Sequence, residues 1–390
     1  MAQALAAEGH AVRRIGVNAG DRAYWPKTLP YEAYRDDPAE WGDYLRANLT
    51  DTDLMLYGDT RPHHAEAIAI AKAAGATVHV FEEGYLRPSW VTYERDGSNG
   101  HSRLMEISIN DMRAALAGHP KADGHPQDKW GALIRHSYYG AAYHARVMAG
   151  WRDYPNFKPH RGISVAKEAR LSLARLIAMP AQRLERNIAL DSLRRSGRRY
   201  DVVLLQLAHD ASLKSHSEYK TVASMMGEVA HAFAAAARRD VDLVFKYHPL
   251  EDGREVLPDV ARKLAAETGL GPRIHIHPGG KLAALLDGAR AVVTVNSTAA
   301  QQALWRGLPV RALGRSVYDK PELTSHQPLT DFFAHPQVPD AAAYDIYRNY
   351  LLATSQFPGS FYAASGRKQA ISRLLRAILS QFSPYERLGS

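Results

Sequence analysis

The sequence predicts an α/β protein of two domains with a cleft between them, and three observations lead there. A chain of 390 residues is long enough for two sizeable cores. Its second half alternates short apolar runs with amphipathic helical stretches, the pattern of a doubly wound parallel sheet. Its first half repeats strand–helix–strand more loosely. The expected organisation is an N-terminal α/β domain over 1–125, a basic helical segment over 126–199 and a C-terminal α/β domain over 200–335. Helices over 336–390 are expected to pack across the domain junction.

In order, "AVRRIGVN", "DLMLYG" and "ATVHVFEE" read as strands of the first domain, each rich in β-prone apolar residues. "HAEAIAIAKAAG" reads as a helix closing on Gly75, a residue suited to the left-handed C-cap. From about Gln127 to Arg199 the pattern is helical and its second part strongly basic. Arg170, Arg175, Arg183, Arg186, Arg194, Arg195, Arg198 and Arg199 outnumber Glu168, Glu185 and Asp191 there, and Pro180 should break or kink the helix. In the second domain "YDVVLLQL", "VDLVFKYHP", "RIHIHP", "RAVVTVNS" and "LPVRALG" read as strands. Between them run the helices "YKTVASMMGEVAHAFAAAARR", "LPDVARKLAAET", "KLAALLDG" and "TAAQQALWRG". The tail, "DAAAYDIYRNYLLATSQF" and "GRKQAISRLLRAILSQF", is helical.

Cysteine is absent, which excludes a disulfide framework, a thiol nucleophile and thiolate-held zinc and fits a reducing compartment. No apolar run is long enough to span a bilayer, and the first residues do not read as a signal peptide, so a cytoplasmic chain is expected. The formal charge of +8 points to an anionic partner: nucleic acid, an acidic membrane face or a phosphate-bearing substrate.

Doubly wound sheets bind ligands at the carboxyl ends of their strands, and the polar residues of interest fall there. "VHVFEEGYLRP" ends a strand on Glu82 and Glu83. Adjacent carboxylates repel, and burying either one is costly unless it is paired or protonated. The pair either faces solvent or sits at the mouth of a site that uses a carboxyl group. "VFKYHP" ends on His248 and Pro249 with Lys246 just before them, a set that suits an anionic phosphate. Its plainer reading is a structural turn, and His277-Pro278 shows how freely the dipeptide arises. Asn296, Ser297 and Thr298 end another strand, expected to neighbour that of His248. They read either as a simple helix cap or as an anion site at a helix start. Gln206, His209, Asp210, Ser212 and Ser215 crowd one loop after a strand. Asp210 there suits a nucleophile, a base or an Asx turn. Asp51 and Asp53 precede a strand instead of following one and read as a solvated turn.

An acidic pair with glycine, a His-Pro and a Ser/Thr motif form the set carried by bacterial sialyltransferases. The fuller stretches "FEEGYLRPSWVTYERDGSNGHS", "LLQLAHDASLKSHS", "VFKYHPLEDG" and "TVNSTAAQQALWRGLPVRALGRSVYDKPELTS" resemble the capsule polysaccharide biosynthesis family. More narrowly, they are similar to its lipid-primer β-Kdo transferases of the KpsS or LipB type. The resemblance runs from Gly9 to about Phe333 through four separated motifs in order.

The resemblance implies a GT-B-like fold of two Rossmann-like domains facing a cleft, with a helical insert and C-terminal crossover helices. It implies transfer of Kdo from CMP-Kdo, with retention, to lysophosphatidylglycerol at the cytoplasmic face of the inner membrane. Retention by two displacements needs a nucleophilic carboxylate and a carboxyl acid/base. Asp210 is the expected nucleophile and Glu83 the acid/base, with Glu82 as its understudy; a carboxyl beside another has a raised pKa. Lys246 and His248, in the turn made rigid by Pro249, would hold the CMP phosphate. Gln206 and Asn296 belong to the same donor site. Ser297 and Thr298 would take the phosphate or the cytidine ribose, and Arg87 either the Kdo carboxylate or a surface salt bridge.

A monophosphate leaving group held by cations needs no metal, and neither metal nor cofactor is expected. The basic helix, with Leu173, Leu176, Ile177, Leu184 and Ile188 close to one face, either rests on anionic lipid or packs on the protein. The family begins with an apolar strand and a glycine-rich loop, whereas this chain begins inside the following helix, "MAQALAAEGH"; Glu322 stands where glycine is expected. Alternatives are another CMP-sugar transferase, for sialic acid or chain-extending Kdo, and a non-catalytic capsule assembly or export factor working with other assembly proteins. Nucleic acid is not expected as a partner, because it leaves the strand-end carboxylates unexplained.

Overall fold

The computed structural model describes residues 1–122, 124, 133–159, 163–208, 210, 213, 215–236, 239–251, 253 and 255–388. Its strands are β1 (Arg14–Gly16), β2 (Tyr31–Ala33), β3 (Leu54–Tyr57), β4 (Val78–Glu83), β5 (Trp90–Arg95), β6 (Arg199–Leu204), β7 (Val241–Lys246), β8 (Ile274–His277), β9 (Ala289–Thr294), β10 (Val310–Ala312) and β11 (Gln356–Pro358). They divide between two compact units. Unit 1 is Met1–His101, Gly118–Arg170 and Leu351–Ser390, and unit 2 is Ser102–Ala117 and Leu171–Tyr350.

Unit 2 is built on one parallel sheet in the order β10-β9-β6-β7-β8. Its chain therefore starts in the middle, runs outward through β7 and β8, then returns to β9 on the other side. That is the doubly wound nucleotide-binding order, with its switch point between β6 and β9. The sequence reason is the near-continuous apolar runs: every residue of β7 is buried, as a central parallel strand requires. The helix Val222–Ala236 covers one face through Met225, Met226, Val229 and Phe233. Asp201, fully buried at the start of β6, is held by Arg290 through two hydrogen bonds of 2.9 and 2.6 Å. One expectation fails here: the strand before Ser297, β9, does not neighbour the strand before His248, β7, because β6 lies between them.

Unit 1 is also α/β, but its main sheet is mixed, in the order β11-β5-β4-β3. Only β3 and β4 are parallel; β5 is antiparallel to β4, and β11 to β5. β1 and β2 form a separate parallel pair. β2, β5 and β11 were not among the expected strands. β5 lies in "SWVTYERDG", so close after β4 that only an antiparallel return is open to it. Val78 and Val80 pack with Leu56, Ala67 and Ala71 on one face, and Phe81 with Tyr93, Phe357 and Leu374 on the other.

The helix Val165–Ser196 runs 32 residues through Pro180 without a break, so the expected break is absent. Pro180 is exposed, where a carbonyl freed of its partner can be hydrated. The boundary between the units falls inside this helix. Among the described residues no helix is long and apolar enough to cross a membrane.

Candidate active site

In unit 1 the acidic pair closes β4. Successive strand residues point to opposite faces, so Glu82 shares the face of Val78 and Val80, and Glu83 that of Phe81. The pair thus avoids the close repulsion that adjacency implied. Glu82 Oε1 accepts the Glu83 backbone N–H at 3.1 Å. A side chain on Gly58, whose φ is +71°, would come within 3.2 Å of Glu82 Oε2. Burial is the main cause that pushes the Glu82 pKa up to about 7; the charges of Glu83 and Asp59 add smaller upward pushes. The expected cause, the neighbouring carboxylate, is therefore minor. Tyr362 donates its hydroxyl to Glu83, whose carboxylate also lies 3.5 Å from Arg87 Nη1. Arg87 is 46% exposed in its side chain and donates Nε to the Gly84 carbonyl at 3.1 Å, so here it forms a surface salt bridge.

The loop after β4 is fixed. A Cβ on Gly84 would stand 2.5 Å from the Trp90 carbonyl oxygen, so only glycine fits after the pair. Gln356 Oε1 accepts the backbone N–H groups of Tyr85 and Leu86 at 2.8 and 3.3 Å. Tyr85 and Tyr385 both donate to the buried Glu94, at 2.5 and 2.7 Å.

In unit 2 the switch point carries a polar knot. The carboxamide of Gln206 donates to Asn296 Oδ1 at 2.8 Å and to Asp210 Oδ2 at 3.3 Å, and accepts the Asn296 backbone N–H at 3.2 Å. Gln206 and Asn296 are buried, while Asp210 is half-buried. His209 and Ser212, expected in the same loop, lie outside the described residues; Ser215 is exposed. Ser297 accepts the Ala299 N–H at 3.3 Å as a simple cap. Behind it stand one 3₁₀ turn, beginning at Thr298, and one α-turn, Gln301–Leu304. The longer helix expected there is absent, and with it most of the dipole that an anion would feel.

Lys246 ends β7, is 5% exposed, and donates Nζ to the Tyr247 carbonyl at 3.1 Å. Burial, then the charge of Arg186, bring its pKa down to about 8. His248 Nδ1 accepts the Leu250 N–H at 3.1 Å, and Pro249 is exposed. His277 pairs in register with Lys246. It is buried, and burial with the Lys246 charge brings its pKa down to about 4. The turn Pro278-Gly279-Gly280 touches the first His-Pro turn, with a Cβ on Gly279 falling 3.5 Å from Pro249 Cα. The dipeptide set aside in the sequence is thus a neighbour of the one singled out. Arg186, Asp59 and Tyr362 were likewise not anticipated: helix phase brings in Arg186, and bends after β3 and β11 bring in Asp59 and Tyr362, which no local motif announces.

A family model described as capsule polysaccharide biosynthesis protein matches residues 52–362, a span holding every residue named above for chemistry. Similar proteins include the capsule polysaccharide export protein KpsS of Escherichia coli, 30% identical over 369 residues and covering 93% of each chain. The capsule polysaccharide modification protein LipB of Neisseria meningitidis is 28% identical over 376 residues, covering 93% of this chain and 88% of that protein. Among solved structures, the β-Kdo 2,7 transferase of Thermosulfurimonas dismutans KpsC superposes with a TM-score of 0.43 at 16% identity, covering 93% of this chain and 90% of that one. The match and the identity over nearly the whole length make this chain a member of the capsule polysaccharide biosynthesis family.

Proposed function

We propose that the protein is a retaining glycosyltransferase that moves Kdo from CMP-Kdo to lysophosphatidylglycerol, starting the linker of a capsule polysaccharide. Family membership supports the capsule setting. The observation that carries the chemistry is Asp210, a carboxylate held by Gln206 at the switch point of a nucleotide-binding-type sheet. In the first displacement an Asp210 oxygen attacks the anomeric carbon C2 of Kdo. The bond from C2 to the phosphate oxygen breaks, and CMP leaves with the electron pair. In the second, an acceptor hydroxyl attacks the same carbon and gives its proton to a carboxylate, while the ester bond to Asp210 breaks and restores its charge. Two inversions give retention.

Glu82 suits the proton-accepting role, since a base is most effective with a pKa near the working pH; Glu83 is the second candidate. Lys246 and His248 take the departing phosphate, and Ser297 and Thr298 the ribose. Charge neutralisation by these groups makes a metal unnecessary. Intact-protein mass spectrometry with CMP-Kdo is expected to show a gain of one Kdo residue that Asp210→Asn abolishes. Turnover of CMP-Kdo that persists in Asp210→Asn would sink the double displacement. Capsule assembly that survives Asp210→Asn and Glu82→Gln would identify a non-catalytic assembly factor instead.

The acceptor is a lipid, so the proposal places the protein on the cytoplasmic face of an anionic membrane. Ile177, Leu184 and Ile188 are 73%, 62% and 56% exposed. At about 100° per residue they lie within about 40° of one another on the long helix. Exposed Arg170, Arg183, Arg194 and Arg195 accompany them, as in helices that lie on anionic bilayers. These three side chains are exposed and not packed against the described residues; the side chains of Leu173, Leu176 and Arg175 lie outside the described residues. Replacing Ile177, Leu184 and Ile188 by serine is expected to lower co-sedimentation with phosphatidylglycerol vesicles at least tenfold. Unchanged co-sedimentation would remove the helix from the membrane contact.

A further inference from the structure

We propose that Arg186 is a second phosphate-gripping cation of the donor site, completing with Lys246 an anion clamp over the Gly279-Gly280 turn. The inference rests on reading unit 2 as the nucleotide-sugar unit, and it gives the basic helix a second role, on its other side.

At about 100° per residue, Arg186 lies about 180° around the helix from Ile177, on the same side as the buried Leu193. Its side chain lies across the second His-Pro turn. A Cβ on Gly280, whose φ is +84°, would stand 2.6 Å from Arg186 Cδ and 3.0 Å from Nε; one on Gly279 would stand 3.9 Å from Nη1. Glycine at position 280 is what lets the guanidinium stem rest on the backbone. Arg186 therefore reaches the carboxyl ends of β7 and β8 beside His277 and Lys246.

Two cations side by side in a poorly hydrated place are unfavourable unless an anion joins them. Other cations withdrawn from solvent in this unit are satisfied more fully: Arg290 places two nitrogens on Asp201, and the buried Lys320 places its ammonium on two carbonyls, those of Leu104 and Met105. Among the described residues no carboxylate pairs with Lys246 or Arg186. The Lys246 ammonium has three N–H groups and places one on a carbonyl. His277 Nδ1, also buried, has no hydrogen-bond partner among the described residues. Unused donors on two cations, at the strand ends where doubly wound sheets bind phosphates, match a phosphate monoanion or dianion. A guanidinium and an ammonium together supply a bidentate fork and a point charge.

Isothermal titration of the full chain with CMP, cytidine, inorganic phosphate and glycerol phosphate tests this, with thermal melts confirming that each variant folds. CMP is expected to bind at least tenfold more tightly than cytidine. Arg186→Gln and Lys246→Met should each lose about tenfold in CMP affinity with cytidine affinity unchanged, and Arg186→Lys should recover part of the loss. CMP binding by Arg186→Gln equal to that of the unaltered protein would overturn the clamp. Binding of glycerol phosphate without CMP, lost in the same variants, would overturn the nucleotide assignment and give the two cations to a lipid headgroup. Failure of the glycosyl adduct with CMP binding intact would sink the transfer reaction alone and leave the clamp standing.

Discussion

β4 and β7 end in opposite chemistry made by the same physics. β4 carries Glu82, whose pKa is pushed up to about 7, and β7 carries Lys246, whose pKa is brought down to about 8. In both, burial is the first cause, and it disfavours whichever form is charged. The consequences differ. A carboxyl near neutrality is useful as it stands, because a group that shuttles a proton must hold and release it at the working pH. A lysine near neutrality is poised to lose the charge that grips phosphate, and regains it when an anion arrives. Under the proposed function, unit 1 would thus present a finished acid/base, and unit 2 a cation site that its ligand completes.

The sharpest way to break this contrast is to compare the two glutamates. Glu82→Gln is expected to lower the transfer rate by about 10²–10⁴ with CMP affinity unchanged. The rate of the unaltered protein should rise with pH through about 7, because the second displacement needs the carboxylate. Glu83, on the other face of the strand with Tyr362 and Arg87 as partners, is expected to matter less: Glu83→Gln should cost under about tenfold. Steady-state kinetics on both variants decides it. A larger loss in Glu83→Gln, with the pH limb unmoved in Glu82→Gln, would reverse the roles.

Much of this was legible in the sequence, and the failures have particular causes. The strands of unit 2 are apolar runs of strand length, and their parallel order follows from alternation with helices. Gln206, Asp210, Lys246, His248 and Asn296 do lie at or just past strand ends, where switch-point logic looks. The expected neighbour relation of β7 and β9 fails because sequence order does not reveal that β6 lies between them. β5 and β11 were missed because an antiparallel return and a three-residue edge leave weak local patterns. Arg186 was hidden among eight arginines of the basic stretch, and only the phase of the helix separates it from those facing away. His277 was set aside as a common dipeptide, since nothing in "RIHIHP" announces that register places it beside Lys246.

The smallest expected effect is on stability, and it tests the contrast most directly. The folded-state pKa of Glu82 lies above its unfolded value of 4.5. Its favourable contribution is therefore complete below about 4.5 and lost as pH rises through about 7. Lys246 is the mirror case: folded near 8 against 10.5 unfolded, its contribution is complete above about 10.5 and lost as pH falls through about 8. Each group alone should be a burden where it is charged and buried. Glu82→Gln should thus gain on the order of 1 kcal/mol at pH 8 and little at pH 5. Lys246→Met should gain a similar amount at pH 7 and progressively less toward pH 9. For domains of this size, 1 kcal/mol shifts Tm by about 2–4 °C, within reach of thermal melts across pH. Saturating CMP should erase the Lys246→Met advantage, because the phosphate repays the buried ammonium only in the unaltered protein, and should leave that of Glu82→Gln intact. Parallel pH trends in the two variants would show that burial is not the common cause, and the two strand ends would then need separate explanations.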